Sequence, residues 1–481
     1  MNIRRLVIAI AFLGILLMAS RPMIDTDTWW HLRTGQWIVD HHALPEVDRF
    51  SFTRIGEPWY YPGWLAEIVM VDLFSLGGLP ALNLLFTGLI FLTFIVVFFT
   101  LEGDPFLRAA ILVLAAGASE IYWSARPQVF TFFFSACFYL CLRKFLLGNK
   151  NALWLLPLIM LLWVNIHAGF AAGFILLLIA LVGQGLTYLV QRPPKPPEAL
   201  RKLGWLVGVL FACAAAAVVN PRGIAILAYP FQTVSIHFLQ NFIQEWQTPD
   251  FHSLEAQLFL ILFFLSWAAI AFSPKPMDVI DFCFLSFISY TGFLAWRNTY
   301  LLSLVAPAVI LRYGQPILQS VMPKWWDPDH AVPKLQSAVN VALVLGLAAA
   351  VTVFGLSSIT SASIQATIRR QIPVDAAEYL SAHPDQGRMF NSYNWGSYLL
   401  WHLPSYPVFV DGRTDLFNDE ILGQYFTVVQ AQTGWRDVLE RWKIRMVFLE
   451  PSAPILQILL AEGWTVGYQD SQSVILLNPN P

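Results

Sequence analysis

Leu6-Val7-Ile8-Ala9-Ile10-Ala11-Phe12-Leu13-Gly14-Ile15-Leu16-Leu17-Met18-Ala19-Ser20 runs straight into Arg21-Pro22-Met23-Ile24-Asp25-Thr26-Asp27-Thr28-Trp29-Trp30-His31-Leu32-Arg33-Thr34-Gly35-Gln36-Trp37-Ile38. The apolar run follows Arg4 and Arg5, a layout shared by membrane helices and cleaved leaders. Arg21-Pro22 follows the only plausible cleavage site and leads directly into Asp25-Thr26-Asp27, so a retained helix is expected. Beyond the acids, Trp30, Thr34, Trp37 and Ile38 share one helical face. That pattern reads as an amphipathic helix lying in the membrane interface on tryptophan anchors.

The rest of the chain supports the same solvent. Of 481 residues 57% are hydrophobic and 12% charged, against about 25% charged in soluble domains. Mean hydropathy is +0.58, more apolar surface than a water-soluble core can hide. A ruler of about 20 residues per span gives eleven candidates, near 6–20, 81–101, 109–125, 127–142, 152–166, 168–190, 203–219, 256–272, 279–296, 298–313 and 337–357. Residues 65–101 are too long for one helix and read as an interfacial helix, then a span, broken at Gly77-Gly78-Leu79-Pro80. With a cytoplasmic N-terminus the inner segments hold 14 Lys and Arg and the outer loops 7, all arginine. The odd count places residues 358–481 outside, and Arg192-Pro193-Pro194-Lys195-Pro196-Pro197 becomes a stiff cytoplasmic connector.

Charge and cysteines narrow the class. A net charge of −2 offers no basic field for nucleic acid. Cys137, Cys141, Cys213 and Cys283 all lie in apolar runs, so no disulfide framework is implied. The chain has no Asn-x-Ser/Thr sequon, which fits a bacterial inner membrane better than a glycosylated cell surface.

Placed by side of the membrane, the polar clusters converge. Asp25-Thr26-Asp27, Arg126-Pro127-Gln128, Asn165-Ile166-His167, Asn220-Pro221-Arg222, Glu245-Trp246 and Trp296-Arg297-Asn298 fall at or near outer ends of spans. Polar groups at that depth are costly and mark a site. Trp29, Trp30 and His31, with Pro58-Trp59-Tyr60-Tyr61-Pro62-Gly63-Trp64, offer aromatic faces beside carboxylates, which suits a sugar. Asp25 and Asp27 are candidate general bases for a hydroxyl or amine nucleophile, and Arg126, Arg222 and Arg297 are candidate partners for a phosphate. Bland alternatives stand beside these roles: one acid as a helix N-cap, the tryptophans as interface anchors, the arginines on lipid headgroups, His31 and His167 as bonded structural histidines, and Glu245 in an amphipathic segment without chemistry. Asp25, Asp27 and His167 also suit a hard divalent cation, although nothing in their spacing demands one.

Residues 358–481 change character and read as a small α/β domain. Strands are expected at 387–391, 408–411, 446–449 and 473–477, and helices at 375–383, 394–403, 417–430, 435–442 and 453–462. The loops at 391–396 and 411–415 follow strands, where α/β domains commonly bind ligands, although Asp411-Gly412-Arg413 is also an ordinary turn sequence.

The acidic motif just outside the first span, the interfacial helix and the Pro-rich aromatic stretch resemble the first loop of GT-C-fold glycosyltransferases, such as the protein O-mannosyltransferase and lipid A aminoarabinose transferase group. The chain also resembles a set of bacterial multispanning proteins with the pattern Asp-x-Asp-x-Trp-Trp-His-Leu and with Arg-Pro-Gln, Asn-x-His and Asn-Pro at span ends, here 126–128, 165–167 and 220–221. The resemblance covers most of 1–357. It implies a polytopic GT-C-like module over 1–357, with 358–481 as an extracytoplasmic α/β domain. It also implies a polyprenyl-phosphate sugar donor, and Asp27 or Asp25 as base or metal ligand. The mannosyltransferase pattern has adjacent acids, whereas Thr26 separates them here, so either acid fits. On this reading the enzyme transfers the sugar, with inversion, to an unidentified glycan, lipid or protein acceptor, and Trp29, Trp30, His31, Arg126, Gln128, Asn165, His167, Asn220, Arg222, Glu245 and Arg297 surround the substrate. A flippase of lipid-linked sugars or a non-catalytic assembly protein is the rival. Transporters usually carry polar groups near the midplane, whereas here the polar clusters sit at the ends of spans and, away from those ends, only Glu120 and Gln184 lie inside.

Overall fold

The computed structural model describes residues 1–148, 150–190, 197–321, 332–384 and 387–479. The proline-rich connector at 192–196 lies outside the described residues. In chain order the helices up to the last candidate span are α1 Ile3–Ala19, α2 Thr28–His41, α3 Trp64–Phe98, α4 Pro105–Ser119, α5 Gln128–Leu146, α6 Leu155–Ile166 and α7 Ala171–Val190. They continue as α8 Pro197–Val218, α9 Tyr229–Val234, α10 His237–Phe242, α11 Leu254–Phe272, α12 Val279–Leu294, α13 Tyr300–Val321 and α14 Lys334–Ser358. The remainder is α15 Ser361–Gln371, α16 Val374–Ala382, β1 Arg388–Asn391, α17 Tyr393–His402, α18 Thr414–Val429, α19 Trp435–Arg441, β2 Ile444–Leu449, α20 Ile455–Ala461, β3 Thr465–Gln469 and β4 Val474–Leu477.

Each of the eleven apolar windows falls on a helix. Among the described residues eight helices are long and apolar enough to cross a membrane, whereas α1, α6 and α12 are shorter, at 17, 12 and 16 residues. The chain is a multi-pass membrane protein. The expected break in α3 is present: Gly77 leaves helical geometry and Gly78 adopts φ 62°, ψ −153°, just before Pro80, a conformation that a residue with a Cβ rarely tolerates.

The chain divides into two compact units, Met1–Arg21 with Asn83–Pro230 and Gln244–Thr360, and Pro22–Leu82 with Phe231–Ile243 and Ser361–Pro481. The sequence reading divides it at 357/358. The second unit begins close to that point but also takes in the first loop and a short segment near 231–243, because both pack on the C-terminal residues.

In the first unit α13 is the central helix, with Tyr300 through Leu311 all buried. It packs against α4, α5, α11 and α12. Its Pro307 and Pro316 lie within the helix, as membrane helices permit when neighbours satisfy the freed carbonyls. Helix α1 is integral to this unit, packing on α4 and α14 with Phe12 edge-on to Phe91 and Phe98. Side-chain caps open several spans: Asp104 accepts from the Phe106 and Leu107 amides, Ser253 from Ala256 and Asp278 from Ile280.

The second unit is built on one four-stranded sheet of order β1-β2-β4-β3. Strands β1 and β2 are parallel, with Phe390 opposite Val447, and β3–β4 is an antiparallel hairpin whose β4 pairs with β2. The helices expected here are all present. Two elements are additional, α15 and the mostly exposed β3.

The strand expected at 408–411 is corrected. Val408 forms only an isolated parallel bridge, with Ser51 of the first loop. The Asn391 side chain supplies what a strand partner would: its Oδ1 accepts from the Phe409 amide at 2.8 Å and its Nδ2 donates to the Val410 carbonyl at 2.8 Å.

Candidate functional site

In the first unit, three of the expected clusters meet. Pro127 precedes α5, so Arg126 and Gln128 flank its first turn. Arg126 donates to Gln128 Oε1 at 2.7 Å and forms an ion pair with Glu245. Gln128 in turn donates to the Tyr122 carbonyl at 3.1 Å and the Ser124 hydroxyl at 2.9 Å. Its amide is thus engaged in holding Arg126. Glu245 is half-buried; burial opposes its ionisation, but Arg126 and Arg297 outweigh this and hold its carboxyl below the usual range. The Arg297 guanidinium lies 4.4 Å from the centroid of Trp246. It forms no ion pair among the described residues.

His167 sits in the break between α6 and α7. Its Nδ1 accepts from the Gly169 amide at 3.0 Å and from the Thr131 hydroxyl at 2.7 Å, and Thr131 is itself held by the Trp163 indole at 2.8 Å. An amide can only donate, so Nδ1 carries no proton and the neutral ring presents Nε2–H. Burial, with Arg297 and Arg126, pushes its pKa down to about 3, so the ring is neutral at physiological pH.

Asn165 and Asn220 play a different part. Asn220 donates to Asn165 Oδ1 at 3.1 Å and to the Val164 carbonyl at 3.3 Å, and Asn165 donates to the Val219 carbonyl at 2.9 Å. The pair staples the end of α6 to the end of α8. The Arg222 amide bonds Asn220 Oδ1 at 3.0 Å, and its guanidinium lies 5.8 Å from the Tyr229 ring centroid.

The second unit holds the acidic motif. The Asp27 amide donates to Asp25 Oδ1 at 2.9 Å. Asp27 occupies the N-cap position of α2, yet its side chain makes no capping bond. Its carboxylate lies against Gly412, with too little room between them for a Cβ. Trp29 and Trp30 are corrected as open platforms or membrane anchors, being 3% and 5% exposed. Trp29 packs edge-on against Tyr398 and His402 of α17, and Trp30 against His31, Trp59 and Tyr61. His31 is also buried, with Nδ1 3.3 Å from Glu67 Oε1. The other Glu67 oxygen has no hydrogen-bond partner among the described residues.

A buried ion network escapes the sequence reading altogether. Arg413 donates to Asp48 Oδ1 at 2.6 Å and grips Asp411 through Nε and Nη2 at 2.9 and 2.7 Å. All three side chains are fully buried. Burial opposes ionisation of Asp48, but Arg413 and Ser51 hold its carboxyl below the usual range. The rings of Phe50, Trp59 and Phe417 surround the guanidinium. Asp411-Gly412-Arg413 was visible as a motif, but its partners 365 residues upstream were not. Among the described residues no group of three or more His, Cys, Asp or Glu is placed to hold a metal ion.

These features define a polytopic membrane protein of the GT-C fold, the fold of integral-membrane glycosyltransferases. The chain matches ArnT from Cupriavidus metallidurans, crystallised with undecaprenyl phosphate, at a TM-score of 0.54 and 12% identity, over 99% of this chain and 98% of that one. The archaeal oligosaccharyltransferase AglB from Archaeoglobus fulgidus, solved with an inhibitory peptide and a dolichol-phosphate, gives 0.49 at 12% identity over 98% and 74%. The mycobacterial arabinofuranosyltransferase AftD gives 0.48 at 14% identity over 99% and 40%. No protein-family model matches the sequence, and none of the curated proteins matches it.

Proposed function

We propose that the chain is a membrane glycosyltransferase that moves a sugar from a polyprenyl-phosphate donor to an acceptor on the outer face of the membrane. Asp27, or Asp25, takes the proton of the acceptor hydroxyl. The freed oxygen attacks the anomeric carbon, the bond from that carbon to the phosphate oxygen breaks, and the lipid phosphate departs with the bonding pair. A single displacement inverts the anomeric configuration. For the leaving phosphate the first unit offers Arg297 and Arg126 as cations and the neutral His167 as an Nε2–H donor.

The observation that carries this reading is Arg297, a cation braced on Trp246 that shares the single Glu245 carboxylate with Arg126 and, among the described residues, forms no ion pair of its own. Two guanidiniums set against one carboxylate leave excess positive charge, which is suited to an anionic ligand. The GT-C fold supports the same class of chemistry.

The test is transfer of label from a panel of radiolabelled polyprenyl-phosphate sugars to membrane extract, with purified protein. Arg297→Ala is expected to lower turnover by ~10²–10³-fold, the range for removing one preorganised charge-stabilising donor, with Arg297→Lys intermediate. Asp27→Ala or Asp25→Ala abolishes transfer while folding is retained. Donor binding without transfer, indifferent to all these substitutions, would overturn the enzyme reading in favour of a lipid-linked sugar transporter.

A further inference from the structure

We infer that Gly412, in the C-terminal part of the chain, is a positioning residue for Asp27 of the first loop; this rests on the reading of Asp27 as the base. The turn is rigid. Arg413 locks it through Asp411 and Asp48, and the Gly412 amide donates to Ser397 Oγ of α17 at 3.3 Å. Asp27 lies directly against it. A Cβ on Gly412 would come within 3.0 Å of Asp27 Cγ, nearer still to Oδ1, and within 3.3 Å of Ser397 Oγ. The backbone of Gly412 is not in the left-handed region, so glycine is needed here for space and not for conformation.

The nature of the obstacle sets Gly412 apart from its neighbour Gly396. A Cβ on Gly396 would lie 2.8 Å from the Asp411 Cα and closer to the Val410 carbonyl, backbone atoms that cannot step aside. Gly396 is therefore a packing glycine. At Gly412 the obstacle is the end of a side chain with two rotatable bonds, so a Cβ there displaces a carboxylate and leaves the backbone where it is. What is lost is the place of the carboxylate. A shift on the order of 1 Å in a reacting group costs about 10²-fold in rate. The C-terminal residues thereby take part in the chemistry without touching substrate, by setting where a first-loop acid stands.

The experiment compares Gly412→Ala with wild type in the full chain. Expected are an unchanged thermal midpoint, turnover lower by ~10²-fold and a donor KM within about threefold of wild type, the signature of a displaced base and not of a lost binding contact. In an Asp27→Ala background Gly412→Ala produces no further loss, because the two act through one group. Gly396→Ala, by contrast, lowers the thermal midpoint.

A second readout needs no substrate. With the four native cysteines replaced by serine or alanine, Asp27→Cys is labelled several-fold faster by a charged thiosulfonate when Gly412→Ala is added. Equal labelling rates, or turnover unaffected by Gly412→Ala while Asp27→Ala abolishes it, would overturn the positioning role. Transfer that survives Asp27→Ala removes the base assignment instead, and the thiol rates then decide whether Gly412 places residue 27.

Discussion

Replacing Arg413 with methionine removes a guanidinium but keeps a long apolar stem among Phe50, Trp59 and Phe417. Asp48 then retains bonds from the Phe50 amide at 3.2 Å and from Ser51, whose amide and hydroxyl donate at 3.0 and 2.6 Å. It loses its one charge partner among the described residues, however, and Asp411 loses its bidentate one. Both carboxylates are fully buried. Removing one partner of a buried ion network leaves uncompensated charge and costs about 3–5 kcal/mol. At ~2–4 °C per kcal/mol for a 150–250-residue domain, the thermal midpoint of the second unit falls by on the order of 10 °C. Tryptophan fluorescence during a thermal ramp in detergent reads this, since Trp29, Trp30 and Trp59 are buried in the same unit. Adding Asp48→Asn and Asp411→Asn to Arg413→Met recovers most of the loss, because a neutral buried set carries no stranded charge. The pH dependence has a definite sign. The folded Asp48 carboxyl titrates below its ordinary 3.8, so its contribution is fully present above that value and is lost as pH falls through the lower folded value. In Arg413→Met the buried Asp48 loses the cation that held it down, and burial drives its carboxyl above the ordinary 3.8. The gap between wild type and variant is therefore widest at neutral pH and narrows as pH falls and the stranded carboxylate takes up a proton. A midpoint change under 2 °C at neutral pH would refute the reasoning, as would a gap that stays constant or widens as pH falls.

Gly78→Ala places a Cβ at φ 62°, ψ −153°, which costs about 1–3 kcal/mol; a lower thermal midpoint checks it, and an unchanged one shows that the break relaxes. Asn391→Leu strands the buried Phe409 amide and Val410 carbonyl, at about 1–3 kcal/mol each, and faster limited proteolysis near 405–412 is the expected readout. His167 titrates near 3 when folded against an ordinary 6.5, so stability is full above 6.5 and falls as pH drops towards 3. The thermal midpoint of wild type accordingly declines over that interval, and His167→Gln flattens the decline.

The spans were legible because lipid imposes one requirement on every segment that crosses it, a long apolar run, and composition alone records that. The break at Gly77-Gly78 was legible for a similar reason: two glycines and Pro80 leave a helix few alternatives. Arg126, Glu245 and Arg297 were assembled correctly from separate spans once each was assigned to a span end, since topology supplies the missing coordinate. The shorter helices α6 and α12 show the limit of the ruler, because hydropathy marks where an apolar segment lies and not how many of its residues stay helical.

The second unit resisted because its cohesion is carried by pairs far apart in sequence. Val408-Phe409-Val410 has the composition of a strand, but an asparagine side chain takes the place of the ladder, and no periodicity signals that exchange. Trp29 and Trp30 read as interface anchors because tryptophan beside a span usually is one; here α17 and Trp59 cover them first. Burying each such ring contributes about 1.5–3 kcal/mol, so the aromatic contacts supply the adhesion between the first loop and the C-terminal residues. The polar groups supply something adhesion cannot. Apolar faces slide over one another at little cost, whereas Arg413 must meet Asp48 and Asp411 together or leave charge buried alone. That demand fixes the register of the 411–413 turn against the first loop, and with it the closeness of Gly412 to Asp27. A network that looks wasteful as a source of stability is well suited to holding one carboxylate in one place.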